Sequence, residues 1–348
     1  MDVFGGRCSY RQVCHESIEG HAPDERKEFQ ADFSLNENPL GCSQKVLDAI
    51  RNIERSKIIE YQPVDERLIQ KIAEFECVRP DNILVSAGSD TCLQLISTAL
   101  FNNQARIAYP KPSFPRYEFY IKRMNCRKKP VEFPVFESRN IERFHKSGQD
   151  SDAIILDNPS NPTGLRFSQA ELEKLVSEKE KPVILDMALS GGTYDIPSLI
   201  KKNSFVIKSF SKYFGLPGMR IGYIISAEEN IQKLKSLTSP FEIDYVAQKA
   251  AKAALEDREH ILKSREHVSS EREKIKSELS QLSIKHSDSE STNMVVKLPV
   301  EIQEKLIEEG INLTKGKDYK GLPFIKVRIG IRTEEENDLL LNIIREVI

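Results

Sequence analysis

Through the middle of the chain, apolar residues fall in short, nearly unbroken blocks. They occupy residues 83–87, 105–109, 153–156, 182–185, 204–207 and 221–225, each closed by a polar stretch rich in Gly, Pro, Asn or Ser. Blocks this short and this continuous predict strands buried on both faces. Between them, spacings of three and four residues mark helices, as with Leu93, Ile96 and Leu100, and over residues 168–178. Alternating strands and helices predict an α/β fold: a mostly parallel sheet covered by helices, whose ligand-binding groups gather at the carboxyl ends of the strands.

The flanks read differently. Residues 1–30 are polar and have no period, which predicts an arm. Ser43 caps a helix with Val46, Leu47 and Ile50 on one side, and a further helix starts near Asp65. Residues 127–150 are charged and aperiodic, and they read as irregular. Residues 245–282 read as one long helix, alanine-rich and then dense in Glu, Lys and Arg. Strands at 292–298 and 324–331, a helix at 301–309 closed by Gly310, and a last helix capped by Thr333 with Leu339, Leu340 and Ile343 inward complete the chain. The expected organisation is an N-terminal arm and part of a small domain (1–40), a large domain (41–245) and a smaller α+β domain (246–348).

Composition narrows the function. The chain has 348 residues, 39% hydrophobic and 30% charged, with a formal net charge of −2. That balance gives no electrostatic reason to expect nucleic acid or an anionic membrane as partner. No apolar run is long enough to span a bilayer, and residues 1–11 lack an apolar signal core. Six cysteines (Cys8, Cys14, Cys42, Cys77, Cys92 and Cys126) include no C-x-x-C pair. They fit reduced thiols and a cytoplasmic location. Cys8, Cys14, His15 and His21 match no zinc-ligand spacing, so no metal is expected.

The densest chemistry lies at Ser209-Phe210-Ser211-Lys212-Tyr213-Phe214-Gly215-Leu216-Pro217-Gly218-Met219-Arg220, between two apolar blocks. A lysine flanked by hydroxyls, with glycines and an arginine in the same turn, suits a phosphorylated carbonyl compound. The amine attacks the carbonyl, while the hydroxyls and guanidinium hold the phosphate. Gly88-Ser89-Asp90, between a strand and a helix, makes an anion site from free N–H groups and the helix dipole. Asp186, at the carboxyl end of an apolar block, is costly to bury without a cationic partner.

The whole stretch from Ser209 into Arg220-Ile221-Gly222-Tyr223 resembles the Schiff-base lysine loop of fold-type I pyridoxal-phosphate (PLP) enzymes. It is most similar to the branch holding histidinol-phosphate aminotransferase and threonine-phosphate decarboxylase. Asn158-Pro159-Ser160-Asn161-Pro162-Thr163-Gly164 is a second motif of that family, and the resemblance runs over nearly the whole chain from residue 31. It implies PLP as cofactor, with Lys212 as the catalytic amine and Asp186 as the partner of the pyridinium nitrogen. The phosphate would be held by Gly88, Ser89, the backbone N–H of Asp90, Ser209, Ser211 and Arg220. Phe114 would stack on the ring, and Asn161 would donate to the phenolate oxygen. The segment Asn36-Glu37-Asn38-Pro39-Leu40-Gly41 would line the substrate pocket, with Asn36 and Leu40 as candidates. Arg328 would grip a substrate carboxylate, and Arg332, on the same face by alternation, is a second candidate. Tyr61 would reach the phosphate of a neighbouring subunit, which implies a homodimer.

The pattern is broken in places. Leu189 and Leu40 stand where the aminotransferases carry tyrosine, and these, with Arg328-x-x-x-Arg332 and Pro217, lean towards the decarboxylases. Phe4, ahead of Gly5-Gly6, replaces a histidine of those decarboxylases, and S-F-S-K-x-F-G is closer to the aminotransferases. Asp157, at the head of the N-P-x-N-P-T-G motif, has no role in this reading. Transamination of an amino acid or a phosphorylated amine is the leading expectation. Decarboxylation of a threonine-phosphate-like substrate is the alternative, followed by a non-catalytic binding protein that keeps the fold.

Overall fold

A computed structural model describes residues 29–191, 194–315, 319, 322–323 and 325–348. The arm over residues 1–28, with the Cys8–His21 group, Phe4 and Gly5-Gly6, lies outside the described residues, as does Phe324. Among the described residues there are twelve strands. They are β1 (Ala31–Asp32), β2 (Ile83–Ser86), β3 (Arg106–Lys111), β4 (Arg127–Glu132), β5 (Ala153–Asp157), β6 (Val183–Asp186), β7 (Ser204–Ser209), β8 (Gly222–Ser226), β9 (Asn293–Lys297), β10 (Ile311–Asn312), β11 (Thr314–Lys315) and β12 (Lys326–Gly330).

The principal sheet has seven strands in the order β2-β8-β7-β6-β5-β3-β4. β8 runs antiparallel to both of its neighbours and the other pairings are parallel. The apolar blocks explain it. Successive side chains of a strand point to opposite faces, so Ile154, Leu156, Val183, Leu185 and Val206 join one core, while Ile155, Ile184, Phe205 and Ile207 join another on the far face. Strands apolar on both faces need cover on both.

Helix starts follow the capping residues. Ser43, Asp65, Ser168, Asp244 and Thr333 each accept a hydrogen bond from the first turn of the helix that follows. At Ser168 and Thr333 a glutamate three residues on closes a capping box. The expected single helix over 245–282 is two helices, Tyr245–Glu256 and Arg258–Gln281. Asp257 leaves the helical conformation (φ −101°, ψ 66°) and its side chain caps the second helix at His260 N–H. That 24-residue helix, about 36 Å long, turns Ile261, Ser264, Val268, Glu271, Ile275 and Leu279 inward. Val268, Ile275 and Leu279 pack in a separate core with β9, β12 and the last helix.

Residues 127–150 are more regular than their sequence suggests, with β4 and a helix over Glu142–Gln149. β4 is the sheet edge, where charged residues and a proline are tolerated because one side of the backbone has no strand to pair with. That tolerance erases the apolar signature.

The sheet with its two faces and the separate core, here the second core, meet at the N-P-x-N-P-T-G turn. Ser287 Oγ donates to the Thr163 carbonyl (2.7 Å), Asn293 Nδ2 donates to the Pro162 carbonyl, and Glu290 N–H donates to the Gly164 carbonyl. Gly164 has φ +70°, and a Cβ there would lie 2.0 Å from Ser289 Oγ and 2.4 Å from the Asn293 carbonyl oxygen. Gly164→Ala should therefore lower stability in urea unfolding by about 1–3 kcal/mol, the usual cost of overpacking. Gly218→Ala, where an added Cβ meets nothing within 4 Å, should stay within about 0.5 kcal/mol.

Candidate active site

A cavity of about 290 Å³ opens at the carboxyl ends of β5, β6 and β7. Lys212, just past β7, and Asp186, the last residue of β6, line this one chamber together with Ser89, Asp90, Phe114, Asn161, Ser209, Ser211, Arg220, Arg328 and Asn36.

Asp186 has a defined geometry. Its Oδ2 accepts from the Tyr117 hydroxyl (2.8 Å) and its Oδ1 from Ala188 N–H (3.1 Å). Burial nonetheless raises its pKa from 3.8 to about 6, because neither donor is a cation. Lys212 is the converse. Among the described residues its amine has no hydrogen-bond or ion-pair partner. Burial lowers its pKa from 10.5 to about 8, and Arg328 and Arg220 reinforce that shift while Glu37 and Asp186 oppose it.

At the mouth of the helix Ser89–Leu100, Gly88 adopts φ +91°, open to glycine, and an added Cβ would lie 2.8 Å from Arg220 Nη2. The guanidinium thus lies against the backbone that leads into the first-turn N–H groups. Ser209 and Ser211 face the same region, with Ser209 Oγ accepting from Ser211 N–H (3.1 Å). Asp90 turns its carboxylate away, onto Arg116 (2.7 and 2.9 Å) and Tyr120 (3.0 Å).

Asn161 is held from three sides. Its N–H donates to Asp157 Oδ2 (2.9 Å), and its Oδ1 accepts from Tyr319 (2.8 Å) and Arg328 Nη1 (3.3 Å). With the carbonyl oxygen occupied by two donors, the amide NH₂ is left for the cavity. Asp157 forms a buried pair with Arg139 (3.0 Å), the two side chains 3% and 2% exposed. Burial raises the carboxyl's pKa and Arg139 opposes the rise. Arg328 is 3% exposed, donates to the Ser34 carbonyl and to Thr314 Oγ1 (3.1 Å), and has no carboxylate partner among the described residues.

Two expected residues, Arg332 and Leu40, lie elsewhere, and Tyr61, expected to act on a neighbouring subunit, lies outside this cavity as well. Arg332 is outside the cavity wall, because its guanidinium pairs with Glu336 in the last helix (3.1 and 3.3 Å). Leu40 is 40% exposed and does not line the chamber. Tyr61 is 86% exposed, against Phe241 (ring centroids 5.2 Å), and does not line the cavity of its own subunit. Conversely, the sequence assigns no role to Tyr117, Arg139 and Tyr319, and shows Glu37 only as part of the pocket-lining segment. Tyr117 sits one turn after Phe114 and carried a faint helical signal. Arg139 carried none, since residues 127–150 have no period.

The donor set fits pyridoxal 5′-phosphate. The chamber presents an unpartnered amine, a carboxylate short of a cation, an aromatic wall at Phe114, and a helix mouth with hydroxyls and a guanidinium for a phosphate. Among the described residues no group of three or more His, Cys, Asp or Glu side chains is placed to hold a metal ion.

Fold and site together define a PLP-dependent transferase of fold type I. Residues 30–344 match the family "Aminotransferase class I and II", and the chain belongs to that family. It is 33% identical over 330 residues to the histidinol-phosphate aminotransferase of Caldicellulosiruptor saccharolyticus, covering 91% of both chains. It is 30% identical to histidinol-phosphate aminotransferase 2 of Archaeoglobus fulgidus, covering 90% of this chain and 92% of the relative. Among solved structures, the histidinol-phosphate aminotransferase of Clostridium acetobutylicum superposes with a TM-score of 0.82 at 26% identity, covering 91% of this chain and 98% of that one. The Sinorhizobium meliloti enzyme in complex with pyridoxal-5′-phosphate shares the fold, with a TM-score of 0.84 at 22% identity over 92% of each chain.

The lysine shift sets a pH dependence for the cofactor-free protein. Between pH 8 and 10.5 the unfolded chain still holds the Lys212 proton while the folded chain has released it. Stability therefore rises with pH through that window, by about 3 kcal/mol from this group. Lys212→Met should remove that rise, measured as the difference between wild-type and variant urea midpoints at pH 7.5 and 10.

Proposed function

We propose that the protein is a histidinol-phosphate-type aminotransferase, moving an amino group between a phosphorylated amine and a keto acid. One observation carries the reading: Lys212, buried and unpartnered, shares a single cavity with Asp186 and with an Arg328 that lacks a carboxylate. The relatives named above supply the substrate class. Among the described residues no helix is long and apolar enough to cross a membrane, and we take the enzyme to work in the cytoplasm.

Bound PLP supplies an aldehyde that condenses with amines and a ring that accepts electron density from bonds at the amine-bearing carbon. In the proposed mechanism Asp186 holds a proton at the ring nitrogen, where its own raised pKa falls back as it gains a cationic partner. The Tyr117 hydroxyl and Ala188 N–H keep that carboxylate aimed. Lys212 Nζ would take the proton from the substrate carbon and return it one position away, and a pKa lowered to about 8 suits both directions better than that of an ordinary lysine. Ser209, Ser211, Arg220 and the N–H groups from Ser89 onward hold the phosphate, with Gly88 keeping the approach open. Phe114 covers the ring face, and the Asn161 NH₂ donates to the phenolate oxygen. Leu189 lines the wall without offering a second donor. Arg328 holds the substrate anion, and Asn36, tied to Asn293 (3.2 Å), shapes the pocket.

We assign cofactor binding to residues 41–245. The smaller domain comprises 246–348 and the N-terminal segment up to residue 40, which is supported by the pairing of β1 with β10. Tyr61 is assigned to the phosphate of a second subunit. Its exposure beside Ile58, Ile59 and Phe241 supports a homodimer.

Reconstituted wild type should transaminate histidinol phosphate with a keto acid and show a visible absorption band that borohydride abolishes. Lys212→Ala should lose the band and at least about 100-fold in kcat. Carbon dioxide release from O-phosphothreonine without any keto acid would instead establish decarboxylation. Tyr61→Phe should weaken retention of the cofactor in dialysis, and sedimentation of the wild type as an active monomer would remove the role of Tyr61.

A further inference from the structure

Four acidic residues line the cavity, and the carboxylates of three are spoken for. Asp90 is bound by Arg116, Asp157 by Arg139, and Asp186 by Tyr117 and Ala188 N–H. The fourth, Glu37, has no hydrogen-bond or ion-pair partner among the described residues. Yet its backbone is clamped on both sides. Asn36 is buried and bonded to Asn293, while Asn38 is buried and donates to the Tyr213 carbonyl (3.0 Å) and Ser264 Oγ (2.9 Å). A half-buried carboxylate on a clamped backbone, left without a partner, is a built feature of the wall.

The same chamber holds a cation without a carboxylate, Arg328, whose Nε is buried and unbonded. With Lys212, Asp186 and Arg220 assigned to the cofactor, Glu37 and Arg328 are the anion and the cation left in the chamber wall, and together they complement a small molecule that carries both charges. A plainer role is available, since Glu37 also opposes the burial shift on Lys212. That role would act on every substrate alike, because it depends only on the lysine.

We propose that Glu37 is a specificity residue: its carboxylate accepts an N–H from a cationic nitrogen of the amino substrate, such as a protonated imidazole ring. This rests on the aminotransferase reading and deepens it, by naming the residue that tells a substrate with a basic ring from one with an apolar ring. A charge-assisted hydrogen bond in a partly desolvated wall supports discrimination of roughly 10- to 100-fold against a ring without the N–H.

The test compares wild-type and Glu37→Gln holoenzymes on histidinol phosphate and on its analogue with phenyl in place of imidazole. Wild type should prefer the imidazole substrate. Glu37→Gln should shrink the ratio of the two kcat/KM values by about 10- to 100-fold, mainly through KM for the imidazole substrate. An active wild type whose ratio survives the substitution, with both substrates slowed alike, overturns the assignment of Glu37 alone. A wild type that transaminates neither substrate overturns the aminotransferase reading and this inference with it.

Discussion

The structure depends on keeping two oppositely ionisable groups, Lys212 and Asp186, in one desolvated chamber without letting them neutralise each other. Each is penalised for its charge, the lysine pushed down to about 8 and the aspartate up to about 6. Direct contact would relieve both penalties, yet the two groups share no hydrogen bond or ion pair. Tyr117 and Ala188 N–H occupy the aspartate, so it stays on the sheet side of the cavity. Both line the same cavity of about 290 Å³, the space assigned above to the cofactor.

The parallel sheet supplies the frame for this separation. β5 and β6 end level with one another at Asp157 and Asp186, and β7 runs two residues further to Ser209, so all three reach the same side of the sheet. The registers Asp157↔Asp186 and Asp186↔Ile207 tie the strand ends directly. Behind that edge, the Arg139–Asp157 pair is almost wholly excluded from water, and Asp157 passes its second oxygen to the backbone of Asn161. A buried pair of this kind is weak evidence for stability. Its value here is positional, because it fixes the turn from which Asn161 reaches the cavity.

The second core contributes through contact. Arg328 and Tyr319 both donate to Asn161 Oδ1, and Asn293 links Asn36 to the turn at Pro162. Groups from β12, from the segment at residues 34–37 and from the N-P-x-N-P-T-G turn thereby line one wall. A shift of the second core against the sheet would move Arg328, Glu37 and Asn161 together.

The apolar blocks by themselves determined the α/β class, because strands buried on both faces admit few other arrangements. Local chemistry also determined the cofactor-binding character of the chain, since a lysine turn and a glycine-led helix start work over a few residues. What lies between distant segments was decided only by tertiary structure. Alternation placed Arg328 and Arg332 alike, yet the strand ends at Gly330 and Glu336 draws Arg332 to the last helix. Asp157 had no evident purpose until Arg139, on an aperiodic stretch, came to lie against it. Glu37 read as one letter of a turn, and only in the folded cavity, where Arg116, Arg139 and Tyr117 take the other three carboxylates, is it left without a partner among the described residues. Pairing of charges is a property of three-dimensional neighbourhoods, and the order of residues along the chain does not encode it locally.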